Sequence, residues 1–87
     1  MKIYVTPSYS SKLRKLTKND PRLTAKVKKR IALFSQDQKY PGLKLHKLLG
    51  GMHDSWIFSI TADVRIIIVY RYGDVVLVDI GKHDDVY

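Results

Sequence analysis

Residues 55–78 read Ser55-Trp56-Ile57-Phe58-Ser59-Ile60-Thr61-Ala62-Asp63-Val64-Arg65-Ile66-Ile67-Ile68-Val69-Tyr70-Arg71-Tyr72-Gly73-Asp74-Val75-Val76-Leu77-Val78. Trp56, Phe58 and Ile60 alternate with Ile57, Ser59 and Thr61, the period of two that belongs to strands. From Val64 to Tyr72, β-branched and aromatic side chains dominate, and these suit a pleated surface. Gly73-Asp74 reads as a hairpin turn, in the reverse of the most favoured order. Val75 to Val78 is apolar on both parities, the pattern of a central strand. The stretch is therefore three consecutive strands.

Upstream the period lengthens. Lys2-Ile3-Tyr4-Val5-Thr6 is a short first strand stopped by Pro7. Ser8 or Ser10 is the candidate cap of a first helix running to about Lys18, with Tyr9, Leu13 and Leu16 on one face. Asn19-Asp20-Pro21 breaks and restarts the chain: Asp20 suits an N-cap and Pro21 the first helical position. The second helix runs to about Ser35. Leu23, Val27, Ile31 and Phe34 form its apolar stripe, and Lys26, Lys28, Lys29 and Arg30 crowd its other faces. Tyr40-Pro41-Gly42 ends the helical region. Residues 43–54 read as a basic connector bearing a Gly50-Gly51 pair.

One strand, two helices and three strands predict a single α+β domain over residues 1–87. Two helices cover one face of such a sheet, and Val64, Ile66 and Ile68 are expected beneath them with Trp56 and Phe58. The opposite face then shows Arg65, Ile67, Val69 and Arg71 beside Ile57 and Leu77, half apolar and half charged. Exposed apolar area of that kind marks partner sites.

Charge is unevenly divided. Residues 1–50 hold thirteen Lys and Arg against two Asp, and residues 51–87 hold three against six, for a net charge of +8. A basic half on a small domain attracts polyanions. Cysteine is absent, which excludes disulfides and thiolate metal sites and fits a reducing cytoplasm. No apolar run approaches the roughly 20 residues that span a bilayer, so a soluble cytoplasmic protein without a membrane partner is expected.

Side chains fit for chemistry are few. His46, His53 and His83 are too widely spaced for a metal motif, and no phosphate-cradling glycine loop or nucleophile elbow occurs. No metal and no cofactor is expected. Arg65 follows Asp63 by two residues, so a continuous strand would put both on one face, roughly 6–7 Å apart. An arginine there forks onto phosphate. His83 and Tyr87 share a face whether the tail is extended or helical.

The ordered set Leu45-His46-Lys47-Leu48, Trp56-Ile57-Phe58-Ser59-Ile60, Asp63-Val64-Arg65-Ile66-Ile67 and Asp79-Ile80-Gly81-Lys82-His83-Asp84-Asp85-Val86-Tyr87 resembles the RelE/ParE toxin superfamily, close to its RelE/YafQ-like branch. The resemblance implies two N-terminal helices packed on one face of a curved, mainly antiparallel sheet, in the order β-α-α-β-β-β. It implies an mRNA interferase of a bacterial toxin–antitoxin pair, cutting mRNA on the ribosome by attack of a ribose 2′-OH on the adjacent phosphorus. That reaction asks for a base, an acid and cations at the phosphorane, without a metal. By resemblance His46, with Asp63, is the base, His83 the acid, Arg65 the phosphorane's partner and Tyr87 the residue that positions a base. Lys44 and Lys47 would contact phosphates, with His53, Arg71 and Lys82 as further RNA contacts. The implied partners are a cognate antitoxin, in a hetero-oligomer, and the ribosome with its mRNA.

One position departs from the pattern. Ser59 stands where the YafQ-like branch has a histidine, and serine is neither acid nor base at neutral pH. Two other readings share the fold: a ParE-like gyrase inhibitor, against which the histidines speak, and a catalytically weak RNA- or protein-binding module.

Overall fold

Thr6 starts the first helix. Its extended backbone precedes Pro7, as a residue before proline must, and its Oγ1 accepts from the Tyr9 amide. The same hydroxyl donates to Val78 O, 72 residues away, tying the cap to the sheet. Ser8 and Ser10 were the expected caps; Pro7 fits the first helical position instead and moves the cap back to Thr6. At the second helix Asp20 Oδ1 accepts from the Leu23 amide at 3.0 Å, with Pro21 next, as the sequence predicts.

The computed structural model describes residues 1–48 and 54–82. The elements are β1 (Ile3–Val5), α1 (Pro7–Thr17), α2 (Pro21–Gln36), a 3-10 turn (Pro41–Leu43), β2 (His46–Lys47), β3 (Ser55–Ser59), β4 (Val64–Arg71) and β5 (Asp74–Lys82). The strands form one sheet in the order β1-β5-β4-β3-β2. Only β1 runs parallel to its neighbour; the other pairs are antiparallel. This is the α+β arrangement expected, with one strand more: β2 is two residues long, too short to leave a periodic signal. No described helix is long and apolar enough to cross a membrane.

The core lies between the helices and one face of the sheet. Phe34 of α2 stacks on Phe58 of β3, ring centroids 4.6 Å apart and 5° from parallel. Val27, Val64, Ile66, Ile68 and Ile80 close around them. Each such side chain contributes about 1.5–3 kcal/mol when fully buried.

Three expectations change. Leu77 was assigned to the face away from the helices, but it is buried in the core beside Ile68. A bulge explains this: Ile67 pairs with Asp79 and Ile68 with Leu77, leaving Val78 as the extra residue and shifting the parity of β5. The hairpin turns on Tyr72-Gly73, not Gly73-Asp74. Both residues have positive φ, 51° and 81°, as a type I′ turn requires. Glycine thus takes the second position, and Asp74 pairs with Arg71 inside the sheet. Finally, Ile57 and Ile67 on the second face are 0 % and 8 % exposed, so they form no open apolar patch. They occupy the middle of a row in which His46, Ile57, Ile67 and Asp79 stand abreast across four strands.

Candidate active site

Register decides which side chains meet. His46 is the partner of Ile57, and Ile57 of Ile67, which puts His46 on the sheet face away from the helices. Arg65 is the partner of Ser59 and Gly81, in the next row on that face. Strand spacing of about 4.8 Å and a rise of about 3.3 Å per residue set the backbones of His46 and Arg65 about 12 Å apart.

His46 Nδ1 lies 2.7 Å from Lys44 O. A carbonyl only accepts, so Nδ1 donates this bond and the ring is oriented by it. Ser59 is directly beside Arg65 and 6 % exposed. The position at which this chain departs from the YafQ-like pattern is therefore inside the candidate site.

Asp63 does not share a strand with Arg65. Thr61 Oγ1 accepts from the amides of both Asp63 and Val64, at 3.1 and 2.9 Å, and this turn holds Asp63 exposed ahead of β4. Arg65 donates to the Thr61 and Val64 carbonyls rather than to Asp63. Its guanidinium is thereby turned toward the β3–β4 connection.

There it meets three other cations. A cleft of about 390 Å³ is lined by Lys26, Arg30, Lys44 and Arg65, together with Gly42 and the Ser59–Ala62 turn, and no acidic side chain among the described residues lines it. Arg30 Nη2 donates to Gly42 O at 2.8 Å, while its buried Nε has no partner among the described residues. Lys44 adopts the left-handed conformation, φ 53°, which costs a non-glycine residue about 1–2 kcal/mol. The sequence places Lys44 and Arg65 in the site but assigns Lys26 and Arg30 only to the basic faces of α2. Their spacing carried a signal: Arg22, Lys26 and Arg30 repeat every four residues, and like charges so placed cost about 0.2–0.5 kcal/mol per pair.

The remaining candidates are spread out. Lys82 is exposed at the Arg65 end, as the partner of Val64. Lys47 is the partner of Trp56 on the sheet edge and comes only within 4.0 Å of Asp54. Arg71 lies six residues along β4 from Arg65, about 20 Å away, and does not join the group. His53, His83 and Tyr87 lie outside the described residues. Among the described residues no group of three or more His or Asp is placed to hold a metal.

No protein-family model matches the chain, and no curated protein does. Solved structures match it over nearly its whole length. The E. coli DinJ-YafQ toxin-antitoxin complex gives a TM-score of 0.80 at 18 % identity, covering 99 % of this chain and 96 % of that one. A metal-bound toxin from Helicobacter pylori gives 0.79 at 22 %, covering 100 % and 99 %. The YoeB/ParE toxin from Agrobacterium tumefaciens gives 0.78 at 22 %, covering 95 % and 99 %. The chain has the fold of the RelE-like toxins.

Proposed function

We propose that this protein is the toxin of a bacterial toxin–antitoxin pair and acts as a ribosome-dependent endoribonuclease in the cytoplasm. The observation that carries the reading is the placement of His46 and Arg65 in adjacent rows of one sheet face, next to a cleft of cations. His46 Nε2 takes the proton of a ribose 2′-OH. The oxygen attacks the adjacent phosphorus, and charge builds on the phosphorane oxygens, where a guanidinium fork fits. The bond from phosphorus to the 5′-oxygen then breaks, and that oxygen takes a proton. His83, on the tail that follows β5, is the proposed acid, and Tyr87 the residue that positions a base. Asp63, exposed on its turn beyond Arg65, is kept as a proposed catalytic residue by resemblance rather than as a strand neighbour of Arg65. Lys47, His53, Arg71 and Lys82 are outer contacts for RNA.

The need for a 2′-OH restricts the substrate to RNA. A cognate antitoxin in the genomic neighbourhood, bound in a hetero-oligomer, is the proposed partner; the fold it shares with YafQ, which is solved in complex with DinJ, supports this. The test is to map cuts on ribosome-bound mRNA for the parent, His46→Ala and Arg65→Ala. Cuts by the parent that vanish in both variants are expected. RNA that is bound but left whole by the parent overturns catalysis and favours the binding module, to which Ser59 beside Arg65 already points.

A further inference from the structure

A second cleft adjoins the basic one. It has a volume of about 420 Å³ and is lined by Tyr40, Trp56 and Tyr70, with Gln38, Lys39 and Lys44 at its rim. Both clefts are within the usual size range of ligand sites, about 300–1,000 Å³. Lys44 lines each of them. Trp56 stands edge-on to Tyr70, centroids 6.1 Å apart at 79°, and Tyr70 Oη is fixed by donating to Gln38 Oε1 at 2.7 Å. The aromatic wall is therefore held from behind while Tyr40 remains 43 % exposed.

Gly42 joins the two. A Cβ there would stand 2.7 Å from the Tyr40 ring and 3.6 Å from Arg30 Nη1, so the absence of a side chain lets a ring of one cleft and a guanidinium of the other approach the same backbone. Flat apolar walls beside four cations, with no acid among the described residues that line either cleft, match a nucleotide: a base against the rings and a phosphate against Lys26, Arg30 and Lys44. Repulsion along Arg22, Lys26 and Arg30 is relieved by an anion seated there.

We infer that the two clefts form one subsite for a nucleotide of single-stranded RNA, separate from the sheet face that carries His46. The choice of RNA as occupant rests on the ribonuclease reading; the geometry of the subsite does not. Arg65 serves both places, and Lys26 and Arg30 are positioning residues rather than catalytic ones.

Trp56 is the only tryptophan in the chain, so its fluorescence reports on the aromatic cleft. The experiment titrates the full chain with a 2′-O-methyl hexanucleotide, which cannot be cut. Quenching of Trp56 is expected, with affinity that falls as salt rises. Lys26→Glu, a change on the exposed surface of α2, weakens binding about tenfold or more, whereas Lys15→Glu on α1, with the same change in charge, weakens it only slightly. Equal losses in the two variants overturn the subsite, as does RNA binding without quenching. Quenching by inorganic phosphate or an oligo-aspartate peptide to the same extent as by RNA also overturns it, because no base would then be read. If the parent cuts no ribosome-bound mRNA but these binding results hold, the ribonuclease reading fails and the subsite stands. If it cuts mRNA and Trp56 does not respond, the reverse is true.

Discussion

The core under the helices and the β3–β4 end of the sheet are built on different terms. Beneath the helices, Phe34, Phe58, Ile66 and Ile68 are fully buried against one another, and almost every contact is apolar. At the β3–β4 end, Lys26, Arg30, Lys44 and Arg65 converge with no acid among the described residues lining their cleft, one of them in a left-handed backbone. The first arrangement accounts for why the chain folds. The second opposes folding, through repulsion and strain, and both are offset when something anionic comes to it.

The sharpest test of the difference is Phe34→Ala, which empties one ring of the stack and costs about 3–5 kcal/mol of stability, read from urea denaturation. At the cationic end, the proposed ribonuclease activity predicts that Arg65→Ala lowers mRNA cleavage about 100- to 1,000-fold while changing the unfolding free energy by no more than about 1 kcal/mol. An Arg65 variant that unfolds as readily as the Phe34 one breaks the distinction.

Tyr9 probes an impurity in the apolar side. Burial pushes its phenol up to about 12 from 10.0, since the anion is excluded from the core. The unfolded chain ionises first, so stability is intact below pH 10 and falls by about 2–3 kcal/mol as pH rises toward 12. Burial raises the Tyr70 phenol as well and adds to the fall. Because Tyr9 Oη has no hydrogen-bond partner among the described residues, Tyr9→Phe removes its share of the alkaline loss and adds about 1 kcal/mol at pH 7. Denaturation curves at pH 7 and pH 11 check both.

The smallest effect is the most pointed. Lys26→Glu turns the repulsive pairs with Arg22, Lys29 and Arg30 on α2 into attractive ones and raises stability by about 1 kcal/mol. A variant that is at once more stable and poorer at binding RNA would show that the cations are kept for their ligand. A loss of stability would show that they are structural.

Much of the apolar side was legible in the sequence because burial imposes a period. Leu23, Val27, Ile31 and Phe34 mark α2, and Val64, Ile66 and Ile68 mark one face of β4. Where periodicity was interrupted the reading slipped. One extra residue, Val78, moved Leu77 to the other face, and a two-residue strand at His46 left no pattern. The cationic side was only half legible. Arg65 and Lys44 were named from residue type and resemblance, but Lys26 and Arg30 are 35 or more residues from Arg65 in sequence, and only the packing of α2 against the β3–β4 turn brings them there. Asp63 was misplaced on a strand because a hydroxyl two residues earlier captured its amide, a local contact that alternation does not reveal.

The pairing of β1 with β5 has a consequence in time. Ile3 to Val5 wait for Val75 to Leu77, and the Thr6 cap for Val78, so the sheet closes over some 72 residues of chain. During synthesis α1 and α2 leave the ribosome with Val27 and Phe34 uncovered, and their cover in β3, β4 and β5 follows only after a few seconds at about 5–20 residues per second. Long-range closure of this kind is slow. The nascent chain therefore presents a bare apolar helix pair to whatever is nearby, and a partner or chaperone able to take it has its opportunity before the cationic cleft exists.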